Sequence, residues 1–61
     1  MATVRIEWLS ESFNKEWLPS NLDADEYLRE NGMKSAEYFP EGIGHWEMSE
    51  QDYVLYLLKW E

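Results

Sequence analysis

The chain has 61 residues, room for one domain spanning 1–61 and no second core. It has no cysteine, which excludes disulfides and thiolate metal sites, and four Trp, four Tyr and two Phe set it apart from disordered chains. Thirteen Asp and Glu against five Lys and Arg leave a formal charge of −8. That balance opposes binding to DNA, RNA or an anionic membrane and favours a basic partner.

Residues 1–10 carry one Arg and alternate in polarity, without the apolar stretch of a signal peptide. Residues 3–9 have the period of a half-buried strand, with Val4, Ile6 and Trp8 on one side and Thr3, Arg5 and Glu7 on the other. Ser10 is placed to cap a short helix over 11–18, in which Phe13 and Trp17 share a face. Pro19 ends it, because the residue before a proline is pushed out of the helical region. An irregular loop pinned by the two aromatics is the alternative.

Ser20 or Asn21 opens the next helix, with Asp23, Asp25 and Glu26 near the positive end of its dipole and Asn31-Gly32 as its stop. Helical spacing gathers Ala24, Tyr27 and Leu28 on one face and Asp23, Glu26 and Glu30 on a neighbouring one. Residues 35–48 read as a hairpin around Pro40-Glu41-Gly42-Ile43-Gly44, with Ala36 and Tyr38 facing Trp46 and Met48. Ser49-Glu50-Gln51-Asp52 resembles an acidic capping box, and Lys59 suits a helix C-terminus, so 50–60 is read as a helix. A buried strand beside the first is the alternative, since Tyr, Val and Trp favour strands. The expected architecture is α+β: an N-terminal strand, an acidic helix, a short hairpin and a C-terminal helix. The expected core is Val4, Ile6, Trp8, Tyr27, Leu28, Val54, Leu57 and Leu58. No apolar run approaches the roughly 20 residues that span a bilayer, so the expected location is the cytoplasm.

Catalytic chemistry has little to rest on. His45 is the single histidine, in a Gly-Ile-Gly-His turn that reads as solvent-facing, and no nucleophile motif accompanies it. With thirteen acids, a pair of carboxylates at some suitable spacing carries no information. So short a chain also leaves little room for a pocket above roughly 300 Å³. The Asp23-x-Asp25 pair lacks the Gly and Glu of a calcium loop, since Leu28 and Lys34 stand at those positions. Neither an enzyme nor a metal or cofactor site is expected.

The acids are more informative. Residues 16–52 hold ten of them against Arg29 and Lys34, so the whole net charge maps to the middle of the chain. A domain of this length spans roughly 25–30 Å, and duplex DNA of that length carries about 15–18 phosphates. Seven or eight carboxylates on one side match the phosphates that would face a protein. The expected partner surface is Asp23, Asp25, Glu26 and Glu30, supported by Glu37, Glu41, Glu47, Glu50 and Asp52. Trp17, Trp46 and Trp60 are the aromatics expected to remain available as interface anchors.

In size and charge the chain resembles the small acidic proteins that phages and mobile elements direct against host nucleases, restriction enzymes or CRISPR complexes. The likeness implies an inhibitor that mimics DNA and blocks the basic groove of a nuclease or other nucleic-acid-binding complex. The alternative is an adaptor, antitoxin or immunity-type partner that binds through an aromatic interface.

Overall fold

The computed structural model describes residues 2–18 and 22–60. Along the chain run β1 (Thr3–Ile6), α1 (Glu11–Trp17), α2 (Ala24–Glu30), β2 (Glu37–Phe39), β3 (His45–Ser49) and α3 (Glu50–Trp60). The domain is α+β, with three helices and one antiparallel sheet of order β1-β3-β2 among the described residues. The last strand is therefore the central one. Val4 lies opposite Met48 and Ile6 opposite Trp46 across β1–β3, while Tyr38 lies opposite Trp46 across β2–β3. Residues directly opposite share a face. Val4, Ile6, Tyr38, Trp46 and Met48 therefore form one face of the sheet, and Arg5, Glu37, Phe39, His45 and Glu47 form the other. The helices cover the first: Ile6 and Met48 belong to one buried cluster with Phe13, Ala24, Leu28, Tyr56 and Trp60.

Local chemistry sets the helix ends. Ser10 caps α1 by accepting the Phe13 N–H at 3.2 Å, as its position in the sequence suggests. Its own N–H donates to the Tyr56 hydroxyl at 2.7 Å, which ties the start of α1 to α3. The Asn31-Gly32 stop closes α2 with paired reverse bonds, Met33 N–H to the Leu28 carbonyl at 3.0 Å and Gly32 N–H to the Arg29 carbonyl at 3.2 Å. Gly32 takes φ +104°, which a residue with a Cβ adopts only at a cost, and Met33 then turns inward beside Leu28. β3 runs straight into α3. Ser49 Oγ accepts the Asp52 N–H at 3.2 Å, the first half of a capping box. The Asp52 carboxylate does not return the bond. It accepts from the Ser35 N–H at 2.9 Å and from the Ser35 hydroxyl, while Ser35 Oγ accepts the Ser49 N–H at 2.8 Å.

Four expectations are corrected here. β1 ends at Ile6, opposite Trp46, while His45, the first residue of β3, pairs only with Phe39 of β2; Trp8 lies beyond the paired segment and is 80% exposed. α2 begins at Ala24 with Asp23 as its N-cap; Ser20 and Asn21 lie outside the described residues, as does Pro19. α3 is a helix, as read, but is rotated from the expected orientation. Tyr53, Tyr56, Leu57 and Trp60 face inward, while Val54, Leu55 and Leu58 are exposed. His45 is buried at the start of β3 rather than solvent-facing in the turn.

The core is aromatic at its centre. Phe13 is fully buried, with Trp60 edge-on at 4.8 Å between centroids and Tyr27 edge-on at 5.6 Å. Each such ring removes roughly 150–250 Å² from water, and the edge-to-face pairs add about 0.5–1.5 kcal/mol each. Their polar tips are satisfied: the Trp60 indole N–H donates to Glu16 Oε2 at 2.5 Å, and the Tyr56 hydroxyl accepts from Ser10. Trp60 is thus a core residue at 4% exposure and not the interface anchor that its place near the chain end suggested.

Candidate functional site

The expected partner surface divides into four places. Asp23 caps α2, and Asp25, Glu26 and Glu30 follow on that helix. Glu26 and Glu30, one turn apart, are exposed along its outer side. Glu37 and Glu47 lie opposite each other across β2–β3, on the sheet face away from the helices. Glu41 sits exposed in the hairpin turn, and Glu50 and Asp52 open α3. The acids thus stand on several elements, α2, the β2–β3 ribbon and the start of α3. All twelve acids among the described residues are exposed or half-exposed.

Two groups of these residues are brought together in ways the sequence could not disclose. The first is on the open sheet face. His45 Nε2 meets Glu47 Oε2 at 2.7 Å, the His45 ring stacks on Phe39 at 5.1 Å, and its buried Nδ1 has no hydrogen-bond partner among the described residues.

The second is a groove of about 540 Å³ lined by Trp17, Asp23, Ala24, Asp25, Tyr38 and Trp46. It exceeds the expected limit for so short a chain, because it is not carved from the core. It lies where the end of α1, the start of α2 and the β2–β3 ribbon meet. Trp17 stacks on Phe13 at 6.0 Å and donates its indole N–H to the Leu22 carbonyl, so its place is fixed from two sides. Tyr38 and Trp46, opposite across the strands, have ring centroids 5.0 Å apart. Gly44 passes beneath Tyr38: a Cβ there would meet the Tyr38 hydroxyl and lie 3.1 Å from its ring. Gly44 also takes φ +83°. Both facts require glycine at 44, and its substitution would displace the ring that forms one wall.

The two carboxylates at the rim differ. Arg29 Nη1 donates to Asp25 Oδ2 at 3.0 Å and to the Ala36 carbonyl at 2.9 Å, so Asp25 is held by a cation of its own chain. Asp23 makes no capping bond from its side chain, and no Lys or Arg pairs with it among the described residues. Tyr38 is the groove residue that sequence reading missed. Its strand period with Trp46 was legible, but its 41% exposure was not.

Among the described residues no three His, Asp or Glu converge on a point that would hold a metal ion. No helix among the described residues is long and apolar enough to cross a membrane. Compared with known proteins, the chain matches no family model, no curated protein and no solved structure.

Proposed function

We propose that the protein binds a basic partner without catalysing a reaction, as an inhibitor that occupies a nucleic-acid-binding groove in the manner of a DNA mimic. Targets of this type are the nucleases, restriction enzymes and CRISPR complexes that phage anti-defence proteins block. The observation that carries the reading is uncompensated surface charge. Among the described residues only Glu7 and Asp25 pair with a Lys or Arg, at 3.3 Å from Arg5 and 3.0 Å from Arg29. The other described acids have no Lys or Arg partner, although Glu16, Glu47 and Asp52 are hydrogen-bonded within the fold, and their net charge attracts a cationic surface and repels nucleic acid. The dimensions support the same reading. The longest extent is 33 Å, a length of duplex that carries about 19 phosphates.

The test is competition. A basic nuclease or DNA-binding protein held on a sensor surface should capture the chain at 50 mM salt, and duplex DNA should displace it. Affinity should fall more than about tenfold by 200 mM salt, as screening shortens the reach of the charges. The chain alone should not shift a DNA duplex in a gel. Asp23→Lys, Glu26→Lys and Glu30→Lys together should slow association most, since steering is a long-range effect. Normal capture of that triple variant, or affinity indifferent to salt, overturns the reading.

A second reading has its own observation. Val54, Leu55 and Leu58 are 49%, 44% and 79% exposed on the outer side of α3. An apolar stripe of this kind suits an adaptor, antitoxin or immunity-type contact. It is favoured if Leu58→Ser abolishes capture by a partner while the triple Lys variant does not.

A further inference from the structure

Resting on the basic-partner reading, we infer that the groove between α1, α2 and the β2–β3 ribbon receives an arginine side chain of the partner. The guanidinium would lie against the aromatic walls with its N–H groups on Asp23. Three features of the groove converge on this ligand.

The walls are ring surface. Trp17 lines the groove, held by its N–H on the Leu22 carbonyl and by its ring against Phe13. Tyr38 and Trp46 form a tilted pair on adjacent strands, and both line the groove. A cation over indole or phenol rings is attracted by the ring quadrupole, and Trp is the strongest partner.

The rim is negative, and the negative charge is unequally used. Asp25 is engaged by Arg29, whereas among the described residues Asp23 has neither a capping bond from its side chain nor a pairing cation. A carboxylate beside aromatic faces selects for a cation that can do both things at once. Guanidinium is planar, stacks on rings and presents paired N–H groups to a carboxylate; an ammonium is a compact, strongly hydrated point charge that does neither as well. The chain's own Arg29 shows the chemistry at the same rim: one Nη1 bridges a carboxylate and a backbone carbonyl.

The space is adequate. About 540 Å³ lies within the roughly 300–1,000 Å³ of ligand clefts, which accommodates a long side chain and part of the turn that presents it. Basic groove proteins that grip phosphates are rich in such side chains. The groove therefore makes one point of the interface specific, while the other acids act at longer range.

The experiment uses the whole chain, ¹⁵N-labelled, and two capped peptides that differ only in carrying four arginines or four lysines, at 150 mM salt. The four indole N–H signals serve as reporters at different places: Trp17 and Trp46 in the groove, Trp60 in the core, and Trp8 80% exposed in the segment after β1. The expected result is saturable movement of the Trp17 and Trp46 signals, little at Trp8, and affinity for the arginine peptide at least about threefold above that for the lysine peptide. Asp23→Asn should weaken the arginine peptide about fivefold with an unchanged melting temperature, since the Asp23 side chain makes no cap bond to lose and Asn is equally accepted at an N-cap. Tyr38→Leu should erase the arginine preference. Equal affinity for the two peptides, or binding that leaves Trp17 and Trp46 unmoved, overturns the arginine slot while the basic-partner reading stands. No binding of either peptide at 50 mM salt removes both.

Discussion

α2 and α3 solve the same packing problem by different means. α2 buries Ala24 and Leu28 and turns Glu26 and Glu30 outward, so the cost of dehydrating carboxylates leaves it one orientation. α3 is apolar on two sides: Tyr56 and Trp60 are buried, while Val54, Leu55 and Leu58 face out. Its orientation follows from the size and polar tips of its rings. Turning Tyr56 and Trp60 inward removes the most apolar area, and Ser10 and Glu16 stand ready for the hydroxyl and the indole N–H. The starts of the two helices also differ. α3 is fastened through Ser49, Asp52 and Ser35, whereas the Asp23 side chain at α2 makes no cap bond. A helix with a charged face is oriented by what it must keep wet, and an apolar one by which partners the rest of the chain supplies.

The sharpest test of this contrast is on α3 itself. Trp60→Ala should cost about 3–5 kcal/mol, because it opens a cavity against Phe13 and leaves Glu16 without the indole N–H. Leu58→Ala, two residues away, should change stability by no more than about 0.5 kcal/mol. Chemical denaturation of both variants checks the pair, and comparable losses would mean that α3 packs in another orientation. On α2, Leu28→Ala should cost about 2–5 kcal/mol, and a domain this small has little margin for that loss. Retention of the wild-type midpoint would contradict the inward face of α2.

Smaller effects probe the helix starts. The hydrogen bonds from the Ser35 side chain and backbone, with Ser49 adding to them, hold the Asp52 carboxyl below its ordinary range, and partial burial opposes them. Its pKa is lower folded than unfolded, so the unfolded chain binds more protons in the acid range. The stabilisation is complete above about pH 4 and is lost as pH falls through the lower folded value. Ser35→Ala should destabilise by about 1 kcal/mol at pH 7, and the difference from wild type should narrow below about pH 4. Thermal melts across that range test it, and a constant difference would separate α3 from this anchor. Asp23→Asn should move the midpoint least, by a few tenths of a kcal/mol at most. A loss above about 1 kcal/mol would show that Asp23 holds α2 after all.

What the sequence by itself determined was local. The Ser10 cap, the Asn31-Gly32 stop, the hairpin turn and the helical reading of 50–60 each depend on residues within a few positions, where backbone sterics and side-chain-to-backbone bonds suffice. The amphipathic face of α2 was legible for the same reason. The tertiary structure decided everything that depended on a partner far along the chain. β1 pairs with β3 only as far as Ile6 opposite Trp46, and Trp8 beyond it is exposed; α3 turns to meet Ser10 and Glu16, which buries Trp60 and exposes Leu58. Asp23 and Asp25 could be read as a surface pair, but only folding sets Trp17, Tyr38 and Trp46 beside them to make a groove. Those rings come from three separate elements, and nothing in the spacing of a single chain fixes how a helix end approaches a sheet edge. That approach is set by the packing of Phe13 and its neighbours, a property of the whole core rather than of any segment.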